Sequence, residues 1–75
     1  MLGPSTITSR AIRLYRDRYC EGRPLLEADR ELRPQLSRAK LVEKRLPDTI
    51  WRTARGVLLV VDPRGVVVSV LAQQR

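Results

Sequence analysis

Apolar residues near the start of the chain recur at the spacing of a helix. Between Thr8 and Tyr19 they are three or four residues apart, Thr8 or Ser9 can cap the amino terminus, and Gly22 follows as a terminator. The stripe consists of Ala11, Ile12, Leu14, Tyr15 and Tyr19. This pattern predicts an amphipathic helix.

A second helical stripe begins after Pro24, a residue type that suits the first turn of a helix. It consists of Leu25, Ala28, Leu32, Leu36 and Ala39. Pro34 lies inside it, lacks an amide hydrogen and clashes with the carbonyl four residues earlier. We therefore expect either two short helices, over 24–32 and 34–40, or one helix bent near Arg33.

Beyond Pro47 strand propensity replaces helical spacing. Ile50, Trp51 and Thr53 favour a strand, residues 57–61 are a continuous apolar run, and 66–71 are rich in valine. The turn sequence Asp-Pro-Arg-Gly at 62–65 predicts a hairpin between the last two strands, and Arg-Gly at 55–56 predicts a turn before them. The segment 41–46 fits either a helix end or an edge strand.

These elements predict a single α+β domain over 1–75, because 75 residues are too few for two cores. One or two N-terminal helices pack on a three- to four-stranded antiparallel β-sheet, a meander. We expect a flexible N-terminus at 1–6, a helical half at 8–40 and a β-sheet half at 41–72. The helices of so small a domain cover one sheet face, so the other is either slightly hydrophobic or an interface with a second copy or a partner.

Charge adds a candidate partner. Fifteen Lys and Arg against eight Asp and Glu give a net charge of +7 and a pI near 11.1, and such a field attracts polyanions. Thirteen of the fifteen cations are arginine, which grips phosphate with two hydrogen bonds. GC-rich coding produces the same bias. The composition favours RNA or another polyanion as partner and does not by itself establish it.

Several classes of chemistry are excluded. The chain has no histidine and one cysteine, Cys20, which excludes histidine acid–base catalysis, structural zinc and an internal disulfide. We expect no metal and no cofactor. No apolar stretch reaches the roughly 20 residues of a membrane span, and no secretory signal pattern precedes the first helix. We therefore predict no membrane partner and a cytoplasmic location.

Arginines and one tryptophan are the candidate nucleic-acid contacts. Those of the first helix can line up along a phosphate backbone, and the tryptophan can stack on a base between cations. The set is Arg10, Arg13, Arg16, Arg18, Trp51, Arg52 and Arg55. A solvated helix face is the alternative for the helical arginines, and a place in the core is the alternative for Trp51.

Tyr15, Tyr19 and Ser69 each have two interpretations. The tyrosines, one turn apart, either stack on bases or pack in the core, and their place on the apolar stripe favours the core. Strict alternation puts Ser69 on the face shared by Val67 and Leu71. Its hydroxyl then binds either a phosphate or a backbone group.

No nucleophile with an adjacent base, diagnostic carboxylate pair or glycine-rich phosphate loop is present. One reaction needs no histidine: attack of the ribose 2′-hydroxyl on the adjacent phosphate. Arginines can stabilise charge on phosphorus, and a Tyr or Lys of depressed pKa can move the proton. RNA cleavage without a metal is therefore the one enzymatic reaction that we still consider for this sequence.

A family resemblance points the same way. Ile-Thr-Ser-Arg-Ala at 7–11 and Tyr-Arg-Asp-Arg at 15–18, with the segment 47–51 and the closing strand 65–71, resemble small phage-borne and toxin-like members of the barnase, EndoU, colicin and RelE ribonuclease superfamily. This resemblance implies helices on a four-stranded antiparallel sheet and metal-independent RNA cleavage.

The chain departs from that family pattern, which reads Ile-Thr-x-His-Ala and then Arg-Tyr-x-Glu-Arg. Arg10 stands in place of the histidine, Leu14 in place of the arginine and Asp17 in place of the glutamate. Tyr15 and Arg18 agree, and Ser69 stands where a threonine is usual. The loss of the histidine removes the family's main proton carrier.

We thus predict a small basic RNA-binding protein, extended by the resemblance to a toxin-like endoribonuclease. Its catalytic residues would be Arg10, Tyr15, Arg18, Arg52 and Ser69. The alternative is a non-catalytic phage or mobile-element protein that binds and modulates a host protein complex. Its partner would be a host or antitoxin-like protein, and a homodimer is compatible with both.

Overall fold

Helices precede strands in the computed structural model, which describes residues 6–71. The helical half contains α1 (Ser9–Tyr19), α2 (Leu25–Leu32) and a 3₁₀ helix (Arg33–Arg38). The strands are β1 (Lys40–Arg45), β2 (Asp48–Arg52), β3 (Leu58–Val61) and β4 (Val67–Leu71). They form one antiparallel sheet in the order β1-β2-β3-β4, which confirms the predicted α+β meander.

The start of α1 is fixed by its cap and by the sheet. The Thr8 side chain accepts a hydrogen bond from the Ala11 amide at 3.1 Å, as predicted for an N-cap. The Val67 amide donates to the Thr6 carbonyl at 2.9 Å, and the Thr8 amide donates to the Val67 carbonyl at 3.0 Å. Thr6 is therefore joined to β4, and the rest of the predicted flexible N-terminus, 1–5, lies outside the described residues.

Pro34 ends the α-helical geometry, which decides between the two predicted arrangements. The α2 helix stops at Leu32, and Pro34 lies in the first turn of the 3₁₀ helix, where its missing amide costs little. The ambiguous segment 41–46 falls almost entirely in β1, an edge strand whose six residues are all exposed. No helix within residues 6–71 is long and apolar enough to cross a membrane.

The core lies between the helices and one face of the sheet. The helices contribute fully buried side chains of Ala11, Tyr15, Ala28 and Leu32, and the sheet contributes Leu59, Val61, Val67 and Val70. We call the opposite side of the sheet, turned away from the helices, the outer face. It carries half-buried Leu58 and Val60 on β3 and the buried Ile50 on β2. The run 57–61 is thus fully covered on one face.

A bulge in β4 corrects the predicted position of Ser69. Val67 pairs with Val61, whereas Ser69 pairs with Val60, so the register shifts by one residue between them. Val61 faces the core and Val60 faces outward. Because of this extra residue, Ser69 lies on the outer face, opposite Val67 rather than beside it.

The predicted hairpin between β3 and β4 is stabilised by Asp62. Its carboxylate accepts hydrogen bonds from the amides of Arg64 and Val66, both at 2.9 Å. These bonds hold the pKa of Asp62 below its ordinary value. Gly65 has a φ of 84°, a conformation that favours glycine.

Candidate nucleic-acid interface

A basic cleft opens where the 3₁₀ helix, β1 and the β2–β3 turn meet. Its volume is about 680 Å³, and the cationic residues that line it are Arg38, Lys40, Arg52 and Arg55. The remaining lining residues are the turn residues Thr53, Ala54 and Gly56. No carboxylate of residues 6–71 lines it, so this part of the chain gives the cleft the charge of an anion site.

Strand register brings two of these cations face to face. Lys40 is the cross-strand partner of Arg52, and both lie on the outer face because Arg52 in turn pairs with Leu58. Like charges directly opposite each other destabilise a sheet. Neither residue forms an ion pair within residues 6–71, nor does Arg38. An anion bound between them would relieve this repulsion.

Five arginines of the described chain have carboxylate partners. The pairs are Arg16–Asp17, Arg33–Asp29, Arg45–Glu43, Arg64–Asp62 and Arg55–Glu31. Only the last involves the cleft, and it joins Nη1 of Arg55 to Oε1 of Glu31 at 3.0 Å. Within the cleft, Arg38, Lys40 and Arg52 therefore have no carboxylate partner among residues 6–71.

Local structure holds the cleft open. Between Arg38 and Lys40, the buried Ala39 packs into the core and anchors both cations. On the other wall, the buried Thr53 hydroxyl accepts a hydrogen bond from the Val57 amide, and the Thr53 amide donates to the Val57 carbonyl at 2.9 Å. Gly56 supplies the positive φ, 85°, that the turn requires.

The predicted arginines of α1 do not join this cleft. Arg10, Arg13 and Arg18 are exposed, and Arg16 pairs with Asp17. At about 100° per residue, Arg13 lies on the opposite side of α1 from the buried Ala11. Of the predicted nucleic-acid contacts, the structure brings Arg52 and Arg55 together and leaves the helical arginines outside.

Tyr15 lies in the core, where its surroundings do not favour the transfer of its proton to a substrate. It is 1% exposed, its hydroxyl donates to Oε1 of Glu31 at 3.0 Å, and Nε2 of Gln35 donates to that hydroxyl at 3.0 Å. Burial, reinforced by the nearby carboxylate, raises the pKa of Tyr15 to about 12. The nuclease hypothesis requires a depressed pKa. Tyr19 stacks on Tyr15 at 5.1 Å but is 38% exposed, so it is less buried than we predicted.

Glu31 is the centre of this polar group. Its carboxylate also accepts a hydrogen bond from the buried Cys20 thiol at 3.1 Å. The bonds from Cys20 and Tyr15 lower the pKa of Glu31. Burial, together with this carboxylate, raises the pKa of Cys20. The thiol is therefore held protonated, as a structural donor.

The five predicted catalytic residues are not assembled at one point. Arg52 and Ser69 lie on the outer face, with β3 between their strands, whereas Tyr15 lies in the core on the helical side. The sheet thus separates the tyrosine from the other two. Arg10 and Arg18 do not line the cleft.

Trp51 is half-buried and serves the core and the surface together. It packs against the core cluster, and its Nε1 donates to the Thr49 hydroxyl at 2.9 Å. Its remaining surface lines a pocket beside the basic cleft. The core interpretation of Trp51 therefore holds in part, and its stacking on a base stays a prediction.

Sequence reasoning missed Arg38 and Lys40. They are separated from Arg52 by more than ten positions and come together only through the β1–β2 register. The available signal was the ambiguous segment 41–46: its assignment to an edge strand paired with β2 would have placed Lys40 beside Arg52.

Residues 6–71 contain no cluster of three or more Cys, Asp or Glu side chains arranged to hold a metal ion. Comparison with protein-family models, curated proteins and solved structures gives no match. The ribonuclease-superfamily resemblance stays a hypothesis based on the sequence pattern.

Proposed function

We propose that this protein binds the phosphodiester backbone of nucleic acid, RNA in the first place, in the cleft of Arg38, Lys40, Arg52 and Arg55. The observation that carries the proposal is the direct pairing of Lys40 with Arg52 in a cleft that no carboxylate of the described chain lines. A phosphate group supplies the negative charge that this pair lacks. The net charge of +7 adds long-range attraction.

A charge-reversal experiment tests the proposal. Binding of a single-stranded RNA of about twelve nucleotides, a length within the site sizes of small single-strand binding folds, is measured by fluorescence anisotropy, with DNA of the same sequence as a second ligand. We expect the double variant Lys40→Glu/Arg52→Glu to bind at least about tenfold more weakly than the wild type, because opposed charges then face the phosphates.

The matched control is Arg10→Glu/Arg13→Glu, which changes the net charge equally on the exposed side of α1. It should keep most of the affinity. Equal losses in the two double variants would mean that only the overall charge matters, and the cleft proposal would be wrong. Preference for the DNA ligand would identify DNA as the source of the phosphodiester.

Salt dependence tests the number of contacts and the alternative partner. Four phosphate contacts on a single strand give a slope of about −3 in log affinity against log salt concentration. A weak salt response, together with recovery of one stoichiometric protein insensitive to nuclease, would instead support the modulator of a host protein complex.

We propose binding without cleavage as the activity of this cleft. Of the five predicted catalytic residues only Arg52 lines it, and Tyr15 is buried with a raised pKa. RNA and ribosomes incubated with the pure protein in EDTA should stay intact. Fragments that disappear with Arg52→Gln would overturn this view and support the endoribonuclease prediction.

A further inference from the structure

A second pocket of different chemistry lies beside the basic cleft. This pocket has a volume of about 600 Å³ and lies against Trp51. Its other lining residues are Ser37, Arg38, Ala39, Lys40 and Leu41. Arg38 and Lys40 line both spaces. Trp51 pairs with the core-facing Leu59, so it lies on the opposite face of the sheet from Lys40 and Arg52, and the pocket is reached from the cleft around the edge strand β1.

An aromatic and an aliphatic side chain form the distinctive wall of this pocket. Leu41 is the cross-strand partner of Trp51 and is 42% exposed. The hydrogen bond from Trp51 Nε1 to Thr49, together with packing against the core, holds the indole in place. A fixed aromatic ring beside cations matches the stacking platforms that bind single-stranded nucleic acid.

We propose that this pocket receives one unpaired base of a strand whose phosphate lies in the basic cleft, so that the protein selects single-stranded nucleic acid over duplex. The inference rests on the proposed function, since the phosphate site positions the base. In a duplex the bases are stacked inside the helix, and extruding one costs free energy. The lining offers stacking and apolar contact, which every base can use, so we expect little sequence preference.

The experiment uses the only tryptophan of the chain as its own reporter. Fluorescence of the full chain is titrated with three DNA ligands of about twelve nucleotides, within the site sizes of small single-strand binding folds. They are oligodeoxyadenylate, an abasic deoxyribose-phosphate oligomer of equal charge, and a duplex. We expect quenching by oligodeoxyadenylate and not by the abasic oligomer. Affinity for oligodeoxyadenylate should be about tenfold higher than affinity for the abasic oligomer, within the range for one base–aromatic stack. It should also exceed the affinity for the duplex.

Two substitutions of Trp51 separate stacking from packing. Trp51→Leu keeps an apolar side chain and removes the aromatic ring, and should lower the affinity for oligodeoxyadenylate to that for the abasic oligomer. Trp51→Phe should keep most of the difference. Circular dichroism verifies that both variants are folded, and their binding is followed by anisotropy of labelled ligands.

The two proposals fail in different ways. Equal affinity of the wild type for the abasic oligomer and oligodeoxyadenylate would overturn the base pocket while leaving phosphate binding intact. Unchanged discrimination in Trp51→Leu would also overturn it. Absence of binding to all three DNA ligands and to the single-stranded RNA would overturn the proposed function and this inference with it.

Discussion

Lys40 and Arg52 are cross-strand partners on the outer face of the sheet, two cations in direct opposition at the edge of the domain. Elsewhere in the described chain, five arginines pair with carboxylates. No carboxylate among residues 6–71 neutralises the Lys40–Arg52 pair, and the repulsion between the two side chains destabilises the sheet locally.

Replacing one of these two cations by a carboxylate should therefore raise the free energy of unfolding and lower the affinity for RNA. In Arg52→Glu an opposite-charge pair with Lys40 replaces repulsion, which should raise the free energy of unfolding by roughly 0.2–1 kcal/mol. Affinity for single-stranded RNA should fall in the same variant. Urea denaturation and anisotropy measure the two quantities, and a variant that loses stability along with binding would contradict the prediction.

The polar group around Tyr15 should contribute to folding. Tyr15→Phe removes the hydroxyl that joins Glu31 to Gln35, and we expect a loss of about 1 kcal/mol in the free energy of unfolding, since buried partners lose a hydrogen bond. RNA affinity should be unchanged, because Tyr15 does not line the cleft. A loss of affinity without a loss of stability would instead support a direct role for the phenol.

The raised pKa of Tyr15 also predicts an alkaline effect. The folded chain holds the phenol proton more tightly than the unfolded chain does. The stabilisation of the folded state by the protonated phenol is therefore complete below about pH 10 and is lost as the pH rises through about 12. The difference in unfolding free energy between wild type and Tyr15→Phe should narrow across this window. A difference independent of pH would contradict it.

Glu31 predicts the converse effect in acid. Its lowered pKa means that the folded state favours the carboxylate, so its contribution is present above the unfolded value, about 4.3, and is lost as pH falls through the lower folded value. Glu31→Gln should therefore lose less stability than the wild type when pH falls below about 4. Urea denaturation of the two proteins as a function of pH measures this difference, and parallel curves would contradict the prediction.

The β3–β4 hairpin offers a test of backbone geometry. Gly65 has a positive φ, and a Cβ placed there meets no heavy atom within 4 Å, so conformation alone sets the cost of a side chain. Gly65→Ala should destabilise the domain by about 1 kcal/mol, and Gly65→Asn by less. Equal stability of all three proteins in urea would contradict the turn geometry.

Elements with a strong local signal were predictable from the sequence. The spacing of the α1 stripe, the Thr8 cap and the turn at 62–65 each depend on neighbouring residues, and the structure has all three. Pro34 predicted a change of helix geometry, but the 3₁₀ form of the segment, with Leu36 and Ala39 buried in the core, was not predicted.

Features that depend on pairing were not predictable in this way. The bulge that turns Ser69 outward interrupts an alternation that the sequence shows as continuous. The surroundings of Tyr15 depend on Glu31 of α2, sixteen residues away. The basic cleft is formed by three separate segments of the chain. Its Arg52 and Arg55 were therefore predicted as nucleic-acid contacts, whereas Arg38 and Lys40 were not.

Because the cleft is assembled from the end of the 3₁₀ helix, the first residue of β1 and the turn after β2, it exists only when those pieces are docked. A ligand that binds in the cleft therefore stabilises the folded state of the whole domain. Melting temperature should climb with oligonucleotide concentration by mass action, and in a chain this small, recognition and folding become a single equilibrium.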